Sequence, residues 1–192
     1  MNNKRAIIIH GFEGGPTINW FPWLREKLEE HNVQVSVPSM PNAYSPKLNE
    51  WLDYLHQIIG EPDENVFLIG HSLGGPAIFR YLEALPMGKK IGGAVVVAGF
   101  AESINAQAVE NFVTGKWHDE KIKTSSNQIT LINADDDPYI PMEMAERMKK
   151  RFDAHLIVMR NAQHICEKAG FLQLPEALED LRKMIKLSST NV

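Results

Sequence analysis

The chain reads as an α/β protein, a six-stranded parallel sheet wound on both faces by helices. Three observations lead there. Short apolar, β-branched runs alternate with amphipathic stretches from one end of the 192 residues to the other. The runs are apolar on both faces, as strands covered from both sides must be. Each connection is long enough for a crossover helix, and strand–helix alternation selects right-handed crossovers and a doubly wound parallel sheet.

Taken in order, Ala6–Ile9 opens the sheet, followed by a helix over Thr17–Glu30 with Phe21, Leu24 and Leu28 on one face and Arg25, Lys27, Glu29 and Glu30 elsewhere. A second strand spans Val33–Val37, a helix Lys47–Ile59, and a third strand Val66–Ile69. Pro76–Leu85 is the next helix, Ile91–Ala98 the fourth strand and Ile129–Ile132 the fifth. The helix Pro141–Arg151, the strand His155–Met159 and the helix Leu174–Lys186 complete the pattern. Residues 101–127 interrupt the rhythm. They are polar and lack a long period, and are expected to form a short lid-like excursion over the carboxyl ends of the strands, where open α/β sheets bind ligands. Residues 1–192 are otherwise expected to form a single domain.

Composition narrows the function. A net charge of −4 argues against nucleic acid or an anionic membrane as partner. One cysteine excludes an intrachain disulfide, and no apolar stretch nears the ~20 residues a bilayer span needs. The three-isoleucine run near the N-terminus falls far short of a signal-peptide core, so a cytoplasmic enzyme or binding protein is expected.

The chemistry centres on Gly70-His71-Ser72-Leu73-Gly74, which fits G-x-S-x-G. In this nucleophile elbow a serine sits on a sharp strand-to-helix turn in a strained backbone conformation, and larger residues at the glycine positions would collide. The motif arises by chance in roughly one chain in twenty of this length, so its context decides. Here an apolar run precedes it and a helical segment follows. A serine nucleophile needs a base, because its hydroxyl is hardly ionised at neutral pH. Of seven histidines, His164 fits best, five residues past the last strand. The base in turn needs a carboxylate to orient it. Asp135, Asp136 and Asp137 all follow the fifth strand, and spacing does not choose among them. The order Ser, Asp, His is that of G-x-S-x-G hydrolases.

The oxyanion that forms in acyl transfer needs aimed donors. One is the backbone N–H of Leu73, at the start of a helix whose dipole favours negative charge. A second is expected from the loop after the first strand, His10-Gly11-Phe12-Glu13-Gly14-Gly15. A glycine-rich loop in that place can also cradle phosphate, but this one lacks the P-loop lysine and the dinucleotide-binding spacing.

Taken together, His10-Gly11-Phe12, the elbow, Asp137-Pro138-Tyr139-Ile140-Pro141 and His164 resemble the α/β-hydrolase superfamily. Asn19-Trp20-Phe21-Pro22-Trp23-Leu24, Met40-Pro41-Asn42 and Trp51-Leu52-Asp53 are similar to the small YdeN-like serine hydrolases, a group that includes retinoblastoma-binding protein nine. The likeness runs from about residue 6 to about residue 185. It implies a minimal α/β-hydrolase fold and selects Asp137, four residues before the proline of an Asp-x-x-x-Pro turn, over Asp136 and then Asp135. It also implies the Phe12 N–H as second oxyanion donor.

The resulting expectation is a serine hydrolase of the carboxylesterase kind, with Ser72, Asp137 and His164 as triad and with no metal or organic cofactor. Its substrates would be small-molecule esters with small or medium acyl groups, since so short a lid cannot enclose a long chain. Phe12, Trp20, Phe100, Trp117 and Tyr139, beside strand-end loops, are candidates for the pocket wall, while Trp23 and Trp51 on helices read as core. His71 is expected to pack locally and His10 to shape the oxyanion loop. Cys166 reads as an ordinary thiol, and His118-Asp119-Glu120 as a solvated loop rather than a metal site. A thioesterase or serine peptidase would use the same acyl-enzyme pathway. A non-catalytic interaction scaffold is the alternative of another class. The Leu-x-Cys-x-Glu motif of retinoblastoma pocket binding is absent, since residue 164 is His and Cys166 is followed at once by Glu167. No protein partner is therefore implied.

Overall fold

The computed structural model describes residues 4–186. Its centre is a six-stranded, all-parallel sheet in the order β2-β1-β3-β4-β5-β6. The strands are β1 (Arg5–Ile9), β2 (Gln34–Ser36), β3 (Val66–His71), β4 (Gly93–Val97), β5 (Ile129–Ala134) and β6 (His155–Met159). The four inner strands are apolar along almost their whole length because helices cover both faces, and their alternate residues enter two separate cores. Ile7, Leu68, Val96 and Leu131 face one side; Ile8, Ile69, Val95 and Ile132 face the other.

The first core is closed by α2 (Leu48–Ile59), α3 (Gly74–Ala84), α4 (Asp119–Thr124) and α5 (Met142–Phe152). The second is closed by α1 (Phe21–Glu29) and α6 (Pro175–Ile185). Both amphipathic patterns hold in detail. Helix α1 buries Phe21, Leu24 and Leu28, and α2 buries Trp51, Leu55 and Ile59. Each fully buried side chain of this kind contributes about 1.5–3 kcal/mol of transfer free energy.

Two boundaries differ from the sequence reading. Helix α1 begins at Phe21 rather than Thr17, because Asn19 takes a left-handed conformation (φ 55°) that no helix accommodates. Helix α3 begins two residues before Pro76, which sits in the first turn where its missing N–H costs nothing. The excursion of residues 101–127 also needs correction. Its second half is not irregular, for residues 119–124 form α4, too short a helix to show a period in sequence. This half is tied down by Arg80 of α3. The buried guanidinium donates to the carbonyls of Phe112 (2.9 Å) and Thr114 (2.7 Å) and pairs with Glu83 at 2.6 Å. His118-Asp119-Glu120 is accordingly a helix start, with the His118 N–H donated to Glu83 and Asp119 paired to Arg151 at 2.9 Å.

The strand order reverses beside β1, so the crevice at the carboxyl ends of β1 and β3 is the topological switch point of the sheet. The loops carrying residues 10–15, Ser72, Asp137 and His164 leave from that edge.

Candidate active site

Ser72 follows the last residue of β3 with φ 52°, a left-handed conformation costly for any residue with a Cβ. The elbow exists because Gly70 lets the helix start press against the strand. A Cβ on Gly70 would stand 2.6 Å from the backbone of Gly74, and one on Gly74 would run into the carbonyl oxygen of Ile9. The turn is pinned by Ser72 N–H to Val97 O (2.9 Å) and by Gly75 N–H to Ser72 O (2.9 Å).

Asp137 and His164 come together from the loops after β5 and β6. Oδ2 of Asp137 accepts a hydrogen bond from Nδ1 of His164 at 2.9 Å, and its Oδ1 accepts the N–H groups of Tyr139 (2.9 Å) and Ile140 (3.1 Å). The Asp137 side chain is fully buried and that of His164 is 15% exposed. A neutral imidazole that donates Nδ1–H to this carboxylate presents Nε2 as an acceptor, the tautomer a general base requires. Ser72 and His164 line one cavity of about 490 Å³. The Ser72 hydroxyl makes no hydrogen bond among the described residues. The Tyr139 and His164 rings pack nearly perpendicular, with centroids 5.0 Å apart.

The main-chain N–H groups of Phe12 and Leu73 have no acceptor among the described residues, and both residues line the cavity. The loop bearing Phe12 is held by His10. Its Nδ1–H donates to Gly11 O (2.7 Å) and its Nε2 accepts the Met40 N–H (2.9 Å), a neutral ring with both nitrogens occupied. Burial keeps His10 below its ordinary pKa. His71 is buried beneath the site, and its Nε2–H donates to the His164 carbonyl at 3.0 Å. Burial, reinforced by the neighbouring His164, pushes His71 down to about 4. It is therefore neutral throughout the range in which a histidine base operates.

A family model described as serine hydrolase matches residues 6–183, almost the whole chain. The chain belongs to the serine hydrolase family. Among relatives of this serine hydrolase, YdeN of Bacillus subtilis (strain 168) is 37% identical over 173 residues, covering 90% of this chain and 91% of YdeN. The serine hydrolase RBBP9 of Rattus norvegicus is 26% identical over 165 residues, covering 83% of this chain and 86% of that protein. The crystal structure of the B. subtilis ydeN gene product superposes with a TM-score of 0.90 at 35% identity, covering 96% of this chain and all of the other. The fold is that of an α/β hydrolase.

The cavity wall of this serine hydrolase differs from the sequence reading at two aromatics. Phe12, Phe100 and Tyr139 line it, but Trp20 and Trp117 do not. Trp20 is wholly buried in the second core, where its indole N–H donates to the Ile165 carbonyl at 3.1 Å. Trp117 belongs to the tied-down half of the excursion. Its ring lies under the Arg80 guanidinium, 3.6 Å from carbon to ring centroid, and packs toward Phe79 and Phe152. Trp51 is buried in the first core, and Trp23 is partly buried against the second.

In place of the two tryptophans the wall holds Ile104, Ala106 and Val109 from the first half of the excursion. The only sequence signal for these residues is their place in the excursion after the fourth strand, expected over the carboxyl ends of the sheet. The lining also includes the polar residues Glu13, Asn19, Glu167 and Lys168 and the half-buried Cys166. No group of three or more His, Cys, Asp or Glu side chains arranged to hold a metal occurs among the described residues. No described helix is long and apolar enough to cross a membrane.

Proposed function

We propose that this protein hydrolyses carboxylic esters of small or medium acyl groups through a Ser72-His164-Asp137 triad. The observation that carries the reading is the buried Asp137 carboxylate on Nδ1 of His164, in a cavity shared with a left-handed Ser72. Ser72 Oγ attacks the ester carbonyl while Nε2 of His164 takes its proton, and the oxyanion rests on the N–H groups of Phe12 and Leu73. Collapse breaks the bond to the alcohol oxygen, which leaves with the proton from His164. Water, deprotonated by His164, then attacks the acyl-enzyme and releases the acid and the free serine. Asp137 stabilises the imidazolium that forms twice in this cycle.

The acyl group lies against Phe100, Ile104, Ala106 and Val109, apolar residues of the cavity lining. The alcohol is left to the polar lining residues Glu13, Asn19, Glu167 and Lys168. A cavity of about 490 Å³ and the tied-down second half of the excursion support acyl groups of limited length. The lone cysteine and the net charge of −4 support action in the cytoplasm on small molecules, which cell fractionation checks.

The test is labelling by a fluorophosphonate probe of the wild type, Ser72→Ala and His164→Ala, followed by a p-nitrophenyl ester series of rising chain length. Wild type is expected to label and both variants are not. Equal labelling of Ser72→Ala rejects the nucleophile, and no labelling of folded wild type favours a non-catalytic scaffold. Preference for the longest esters contradicts the substrate class.

A further inference from the structure

The backbone around His164 is unusual. Asn161, Gln163 and Ile165 all take left-handed conformations, with φ of 52°, 48° and 48°, and none is glycine. Such residues pay for their Cβ, a β-branched isoleucine most of all, so the segment does not hold this shape on its own account. Beyond one internal turn bond, Ile165 N–H to Ala162 O at 3.0 Å, its shape is held by bonds from outside. Asp135 Oδ1 accepts the N–H of Asn161 at 2.9 Å, and Asp136 Oδ1 accepts the N–H of Gln163 at 2.7 Å. Three consecutive aspartates thus grip one loop, at the main chain of residues 161 and 163 and at the ring of 164. From the other side the His71 ring and the Trp20 indole donate to the carbonyls of residues 164 and 165.

We propose that Asp136 is a positioning residue for the reaction, holding the left-handed Gln163 through its N–H so that the His164 ring stays aimed at Ser72. The proposal rests on the reading of His164 as the base. The Asp136 side chain is exposed and fills no core, so its removal costs little packing. Its acceptor sits one residue from the imidazole, where release of a left-handed residue swings the ring. Misplacement of a catalytic group by about 1 Å costs up to about a hundredfold in rate.

The experiment compares kcat, KM and melting temperature of wild type, Asp136→Ala and Asp136→Asn on a p-nitrophenyl ester, with His164→Ala alongside. Asp136→Ala is expected to lose about tenfold in kcat with KM within about twofold and the melting temperature little changed. Asp136→Asn is expected within about twofold of wild type, because its amide oxygen accepts the same N–H. Wild-type kcat in Asp136→Ala, with His164→Ala inactive, overturns the positioning role and leaves the triad standing. Full activity in His164→Ala overturns the base itself and the proposal with it. Asn as impaired as Ala would mean that charge acts rather than the hydrogen bond, and also overturns it. Should Asp136→Ala not fold, Asp136→Glu carries the test, since it keeps the charge but moves the acceptor one methylene outward. It is expected to lose about fivefold in kcat, and an unchanged kcat there overturns the proposal.

Discussion

Asp137 Oδ2 and His164 Nδ1 lie 2.9 Å apart, and the carboxylate is closed off from water. An ion pair formed there during turnover is screened by little solvent, so the carboxylate's charge matters as much as its acceptor atom. Asp137→Asn keeps the shape and loses the charge, and its amide can present a donor to Nδ1. The expected result is a fall in kcat of about 10³- to 10⁴-fold with KM nearly unchanged. Steady-state kinetics on a short-chain ester checks this, and a loss below about tenfold would remove Asp137 from the triad.

The left-handed backbone of Ser72 makes a stability prediction separable from activity. Ser72→Ala and Ser72→Gly are both expected to abolish hydrolysis, since each removes the hydroxyl. Only glycine takes φ 52° without a Cβ penalty. Ser72→Gly is therefore expected to be more stable than Ser72→Ala by about 1 kcal/mol, or about 2–4 °C in Tm. Equal melting curves for the two variants would show that the elbow stores no strain.

His71 ties stability to pH. In the unfolded chain it takes up a proton near its ordinary 6.5, whereas in the fold it resists protonation down to about 4. Between those values the unfolded state binds more protons, so its contribution is fully present above pH 6.5 and is lost as pH falls toward 4. The loss attributable to this ring is about 3 kcal/mol. Urea unfolding at pH 7 and at pH 4.5 should show a drop at least about 2 kcal/mol larger for wild type than for His71→Gln, which keeps a side-chain donor but does not titrate. Parallel losses in the two proteins would mean that His71 is not the titrating group.

Ala106 lines the cavity from the excursion, and in the proposed reaction it limits how far an acyl chain reaches. Ala106→Phe is expected to lower kcat/KM for a butyrate ester by about tenfold while leaving the acetate ester within about twofold, the usual worth of a few methylenes of pocket. A chain-length series on both proteins reads this directly. A uniform loss for every ester would put the acyl group elsewhere.

Much of the molecule is legible along the chain because the signals are local. Apolar runs at Ala6–Ile9 and Val66–Ile69, the faces of α1 and α2, and the pattern Gly70-x-Ser72-x-Gly74 depend on neighbours within a few residues, and they name both the layers and the elbow. The six-residue helix α4 is not legible, since it is shorter than two turns and carries a single buried apolar residue, Ile122. Trp20 and Trp117 show why large side chains near strand ends are poor guides to a cavity. Both are as amphipathic in sequence as Tyr139, and only the partners offered by distant segments, the Ile165 carbonyl and the Arg80 guanidinium, draw them away from it.

By itself the sequence determined the sheet, its parallel sense and the chemical types gathered at one edge, because alternation and motif spacing act over short stretches of chain. Tertiary structure alone decided which contact each of Asp135, Asp136 and Asp137 makes. Adjacent residues of one type have the same local signature, and they part company only when the loop after β6 arrives with two backbone N–H groups and one imidazole to be matched. Hydrogen bonds between segments 26 and 27 residues apart in the chain depend on where the fold sets the two loops, and no local pattern encodes that.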